Sequence, residues 1–205
     1  MLNPSSSRRG VKLRGVKNLN VLYLFAGSRH RADVNACLNS ITSEFNACID
    51  FDFAVAFTLR QIDMTESGPI SGEHGRLARS SLLKEILAEK FHIVIVAPPF
   101  QSFSRAPFSG RPGPKPQRNA LWPRGLPHLK PAVLQRVRVE NEMVDFAVAI
   151  MTAASSVDVL SLLVAPEDLG PSKLGSPASI WQRSDIRELE HSGLSRAALY
   201  QSDFC

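Results

Sequence analysis

Cysteine is scarce in this 205-residue chain. Cys37, Cys48 and Cys205 make an odd set with no metal-type spacing. That argues against a disulfide-stapled secreted protein and predicts a reducing, intracellular setting, nuclear or cytoplasmic. Long apolar runs are missing too. The best candidate, Met143 to Ala154, contains Asp145 and falls short of the roughly 18 residues a membrane helix needs, so no membrane partner is expected. The N-terminus has no apolar stretch of the secretion-signal kind. His30, His74, His92, His128 and His191 are scattered without ligand spacing, and no metal site is expected. What is present suffices for a core. Hydrophobic residues are 44% and charged residues 21%, which excludes a wholly disordered or collagen-like chain.

Acids are absent from two stretches. Residues 1–19 carry Arg8, Arg9, Lys12, Arg14 and Lys17, and residues 97–139 carry Arg105, Arg111, Lys115, Arg118, Arg124, Lys130, Arg136 and Arg138, with no Asp or Glu in either. The rest of the chain has 11 cations against 19 acids. A basic tail and a basic loop are thus mounted on an acidic body. Such a division suits a polyanionic partner, nucleic acid above all, or else a solvated loop that happens to be rich in Lys and Arg. The polar, aperiodic stretch Asn3 to Arg9 reads as plain disorder, which leaves one domain over residues 20–205.

Hydropathy patterning organises that domain. Val21 to Phe25 reads as a buried strand entering a turn at Ala26-Gly27-Ser28. Val34, Cys37, Leu38, Ile41 and Phe45 share a helical face. Ala47 to Phe53 reads as a second strand, Phe57 to Met64 as a third, and residues 76–90 as a helix. His92 to Val96 is a β-branched central strand stopped by Ala97-Pro98-Pro99. Residues 98–131 hold nine of the fourteen prolines and predict a long irregular loop. A helix over 132–155, a fifth strand over Val157–Val164 and a short helix over Ser184–His191 follow. Alternating strands and helices predict an α/β fold with a parallel sheet covered on both faces. Ligands in such sheets sit at the carboxyl ends of the strands, so the chemistry is sought after Phe25, Asp52, Val96 and Val164.

Two segments are more specific. Leu24-Phe25-Ala26-Gly27-Ser28 resembles the first motif of the DNA cytosine-C5 methyltransferases. Val96-Ala97-Pro98-Pro99-Phe100-Gln101-Ser102-Phe103-Ser104 resembles their fourth, and the order and spacing also fit. Looser likeness to methyltransferase-like genes lies in Phe103-Ser104-Arg105-Ala106 and Pro177-Ala178-Ser179-Ile180-Trp181. The resemblance implies a Rossmann-like, doubly wound methyltransferase sheet, truncated after the fifth strand. It implies an S-adenosylmethionine site at Phe25, Ala26, Gly27, Ser28, Asp52, Asp63 and Pro98. Asp50 or Asp52 would match the acid that holds the ribose hydroxyls, and Asp63 the acid after the third strand. Arg105, Arg111, Lys115, Arg118 and Arg124 would meet DNA phosphates, with Trp122 stacking on a displaced base.

The chain also departs from that family. Phe100 stands where the cysteine nucleophile belongs, and a phenyl ring cannot attack cytosine. Arg29, His30 and Arg31 follow Ser28 where a second glycine is usual. The glutamate that holds the cytosine matches either Glu167 or, in another alignment, the position of Val164. These departures imply a protein without methyl-transfer activity that keeps cofactor binding, DNA binding or neither. An amino-methyltransferase reading accommodates Phe100 but needs a hydrogen-bond acceptor where Ala97 stands. A non-enzymatic interaction domain is the third reading.

Overall fold

The computed structural model describes residues 18–25, 34–48, 55–63 and 73–197. Four strands form one all-parallel sheet: β1 (Asn18–Leu24), β2 (Ala56–Ile62), β3 (Ile93–Val96) and β4 (Leu160–Leu163), in the order β2-β1-β3-β4. The helices are α1 (Val34–Cys48), α2 (Glu73–Leu87), α3 (Pro131–Ser156) and α4 (Ser184–His191). Right-handed crossovers put α1 on one face and α2 and α3 on the other. The contacts agree, with α1 against β2, α2 against α3, and α3 against β3 and β4. The architecture is therefore α/β and compatible with a Rossmann-like fold.

The central strands are apolar on both sides because both sides are meant to be covered. Leu22 and Leu24 of β1 and Val94 and Val96 of β3 face α3, where Val144, Ala147, Ile150 and Ala154 are fully buried. Alanines on this stripe let the helix approach the sheet closely. Leu82 and Ile86 of α2 and Ile186 and Leu189 of α4 close the same core. Each such aliphatic side chain removed from water contributes about 1.5–3 kcal/mol.

Helix ends follow from local chemistry. Pro131 opens α3 at a position where its missing N–H costs nothing. α2, α3 and α4 each stop at a residue with positive φ: Glu89 (54°), Asp158 (57°) and Gly193 (108°). In each, the next N–H reaches back five residues, from Lys90 to Glu85, Val159 to Ala154 and Leu194 to Leu189.

One expected strand, Ala47 to Phe53, is helical at its start. Ala47 and Cys48 end α1 instead of opening a strand, because the helix that starts at Val34 runs on through them. Asp50, Asp52 and the rest of 49–54 lie outside the described residues. The strand expected third is in fact β2 and pairs directly with β1, Leu24 opposite Ile62. The acid that follows the neighbour of β1 is therefore Asp63. The expected fifth strand is β4, the last strand among the described residues. No helix of the described residues is long and apolar enough to cross a membrane.

Candidate functional site

The strand order reverses direction between β1 and β3, which makes their carboxyl ends the point where a doubly wound sheet opens a crevice. Three backbone bonds draw the strand ends together there. Phe25 N–H donates to Ile62 O at 2.9 Å, Ala97 N–H to Leu24 O at 3.2 Å, and Val164 N–H to Val96 O at 2.9 Å. Phe25, Asp63, the Ala97-Pro98 corner and Val164 thus share one edge. Phe25 is buried with φ +61°, a left-handed conformation that costs a bulky residue strain and turns the chain sharply off β1. Asp63 is half-buried at the end of β2. Ala26, Gly27 and Ser28 lie outside the described residues.

The double-proline corner is firmly held. Pro98 is buried, and Phe100 and Phe103 meet edge-to-face with centroids 6.4 Å apart. Ser102, in a short 3-10 turn over Gln101–Phe103, donates its N–H to Glu140 Oε2 at 3.1 Å and its hydroxyl to the same oxygen. Arg118 supports the corner from the loop. Its Nε donates to Ser102 Oγ, Nη1 to Pro123 O and Asn141 Oδ1 at 2.7 Å each, and Nη2 to Val137 O at 3.2 Å. The guanidinium sits 4.2 Å over the Phe103 ring and 3.7 Å from Glu140. Burial pushes its pKa down to about 10; Glu140 opposes that fall, while Arg183 and Arg124 add to it.

Arg118 is thus corrected from a phosphate contact to an internal strut: its side chain is 0% exposed. Arg105 and Arg124 are also engaged by the protein. Arg105 Nη1 donates to Gly170 O, and Arg124 forks onto Asp145 (2.9 and 3.2 Å) and reaches Asp185 (3.4 Å). Arg111 and Lys115 are exposed, and Trp122 is 47% exposed. Ser102 Oγ is no substitute nucleophile. It is enclosed, and an Arg118 N–H occupies its lone pair. Ser104 accepts the Ala106 N–H at 3.2 Å, as a turn cap does.

The segment after β4 is pinned to the turn at Ile180–Gln182. Trp181 Nε1 donates to Pro166 O at 2.7 Å, and Asp168 accepts from Gly170 N–H (2.9 Å) and Gln182 Nε2 (3.0 Å). Ser179 and Gln182 complete a reciprocal cap. The three pieces singled out in sequence, 103–106, 166–170 and 177–181, are therefore joined through Arg105 and Trp181. Glu167 is exposed at the rim of this segment, and Val164 is 47% exposed.

Sequence reasoning missed Glu140 and the cluster around Arg183. The Arg183 side chain is 1% exposed and bonds to Asp145 and Asp185. Burial works to lower its pKa, but the two carboxylates outweigh this and raise it. Burial works to raise Asp185, yet the hydrogen bonds and charge of Arg183, helped by Arg124 and the Ile186 N–H, hold its carboxyl below the ordinary value. The signal for Glu140 was its place on the apolar stripe Val137, Val144, Ala147 of α3.

An open groove of about 510 Å³ runs beside β4, lined by residues 161–165, Trp181, and Ile186, Leu189 and Glu190 of α4. It follows β4, the outer strand of the sheet, and reaches the strand-end edge at Val164 and Ala165. Among the described residues no group of three or more His, Cys, Asp or Glu is placed to hold a metal. No protein-family profile, curated protein or solved structure matches the chain.

Proposed function

We propose that this chain is an S-adenosylmethionine methyltransferase-like protein of the DNA cytosine-5 type that has lost methyl transfer and keeps a nucleoside-binding crevice. The observation that carries the reading is the hydrogen bond from Ala97 N–H to Leu24 O. It sets the bend after β1 and the double-proline corner side by side, as a shared cofactor and base site requires. The residues suit the cofactor in part. The Phe25 bend would border it, Pro98 would wall it, and Asp63, carried by the strand beside β1, would accept from ribose hydroxyls. When bound, S-adenosylmethionine supplies an electrophilic methyl group. This chain offers no thiolate at position 100 to prepare a cytosine for it.

The test is thermal melting with S-adenosylmethionine and with its demethylated product, paired with radiolabelled methyl transfer to DNA. A ligand at about 100 times its Kd adds about 2.7 kcal/mol, which raises Tm by roughly 5–10 °C for a chain of this size. The expected result is a shift with both ligands and no transfer, with Phe100→Cys equally inactive. Absence of any shift removes the cofactor reading, and transfer by the unaltered chain removes the loss of activity. DNA binding, if retained, rests on exposed Arg111 and Lys115, and the double substitution to Ala should flatten its salt dependence.

A second reading, a non-enzymatic interaction domain, is favoured by one observation: the loop that should close over DNA is locked to the body by Arg118.

A further inference from the structure

The two edges of the sheet are finished differently. β2 turns Thr58 and Arg60 outward, with Arg60 paired to Glu85 at 2.8 Å. β4 shows Leu160, Leu162 and Val164 at 55%, 51% and 47% exposure, all on one face, and residues 160–165 include neither a charge nor a proline. Natural sheets normally blunt an outer strand with such residues, because a bare edge is a template for another chain.

The backbone of β4 is oriented for that role. Val164 N–H bonds to Val96 O, so Leu160, Leu162 and Val164 turn their peptide groups to β3. Those of Ser161, Leu163 and Ala165 face away from it, and among the described residues β4 pairs with β3 alone. The groove beside β4 is lined by five successive residues, 161–165. Successive side chains point to opposite faces, so one groove touches all five only by following the strand's edge. Its far wall is apolar, from Leu189 and Leu194, while Glu167, Asp168 and Glu190 outnumber the single cation, Arg196.

We infer that β4 is the acceptor edge for an extended peptide segment of another polypeptide, apolar and basic in alternation, which adds a strand and lays side chains into the groove between β4 and α4. Main-chain bonds to Ser161 and Leu163 supply the register, and the groove and its acids supply the selectivity. A second copy of this chain suits the surface less well, since a two-fold contact sets the same net-negative groove against itself. The inference stands on the β4 edge alone and is independent of any cofactor at the β1–β3 crevice.

The experiment uses fluorescence anisotropy with a labelled ten-residue peptide alternating valine and lysine, and its valine–glutamate counterpart, at low salt. Saturable binding is expected, at least roughly tenfold tighter for the lysine peptide. Ser161→Pro removes one outward N–H without touching the β3 ladder, and Leu162→Lys alters an exposed side chain. Each should weaken binding by roughly tenfold or more while the circular dichroism and Tm stay unchanged. No binding at about 1 mM, equal binding of the two peptides, or indifference to both variants overturns the inference. So does sedimentation that finds a dimer which Leu162→Lys dissociates, since the edge then belongs to a second copy.

Discussion

The loop over residues 98–131 and the outer strand β4 reverse what their sequences suggest. The loop is rich in proline and cations, reads as solvent-exposed, and is fastened by a buried arginine. The strand is apolar, reads as core, and leaves Leu160, Leu162 and Val164 in water. Composition reports the average environment of a segment. A single well-partnered side chain, or an outer place in the sheet, changes the outcome without changing the average.

The strongest way to break this contrast is Arg118→Ala. It strands Glu140 in the core without its cation and removes the donors to Pro123, Asn141 and Val137. A loss of about 3–5 kcal/mol is expected in urea unfolding, with hydrogen exchange rising selectively over 101–126. Adding Glu140→Gln should recover part of that loss, because the stranded charge is gone. If the single variant melts like the parent, the loop is not held by Arg118.

Next in size are core truncations on the sheet's covered face. Leu24→Ala should cost about 2–5 kcal/mol, whereas Leu162→Lys, on the bare face, should stay within about 0.5 kcal/mol. Comparable losses at both positions would erase the distinction between the faces.

A smaller effect is set by acid. The Asp185 carboxyl is held below its ordinary value near 3.8 in the fold, so the unfolded chain takes up a proton first as pH falls. Its contribution is full above about pH 4 and is lost as pH drops through the folded-state value. Unfolding midpoints measured from pH 6 to pH 2 should show this decline, and Asp185→Asn should flatten it. An unchanged acid limb in the variant would dissociate the cluster from stability.

The smallest effect is a gain. Glu89 and Asp158 occupy left-handed helix stops where Gly193 shows the relaxed solution. Glu89→Gly and Asp158→Gly should each stabilise by about 0.5–1 kcal/mol, or roughly 1–4 °C in Tm.

Much of the scaffold was legible in the sequence. α4 matches its expected bounds, Ser184–His191, and α3 differs from its expected range by one residue at each end, because 3.6-residue periodicity is a local signal. The error at Ala47 and Cys48 arose where an apolar stretch suited both a helix end and a strand. Only pairing with β1, a contact between residues about forty apart in sequence, decides between them. The corner geometry followed from the motifs, since strand ends in parallel sheets gather on one edge. The fate of the arginines did not follow. Arg118 finds Glu140 and Asn141 more than twenty residues away, and nothing local distinguishes it from exposed Lys115. Asp145 and Asp185 likewise reveal themselves only when α3 and α4 pack.

The Phe103 ring is held on one side by the Arg118 guanidinium and at its edge by Phe100. A change at position 100 is therefore transmitted to the ring and on to the buried cation, although 100 and 118 lie eighteen positions apart. Any lineage that replaced Phe100 with a smaller residue would have to readjust Phe103 and Arg118 in step. Descendants of this chain should covary at 100, 103 and 118.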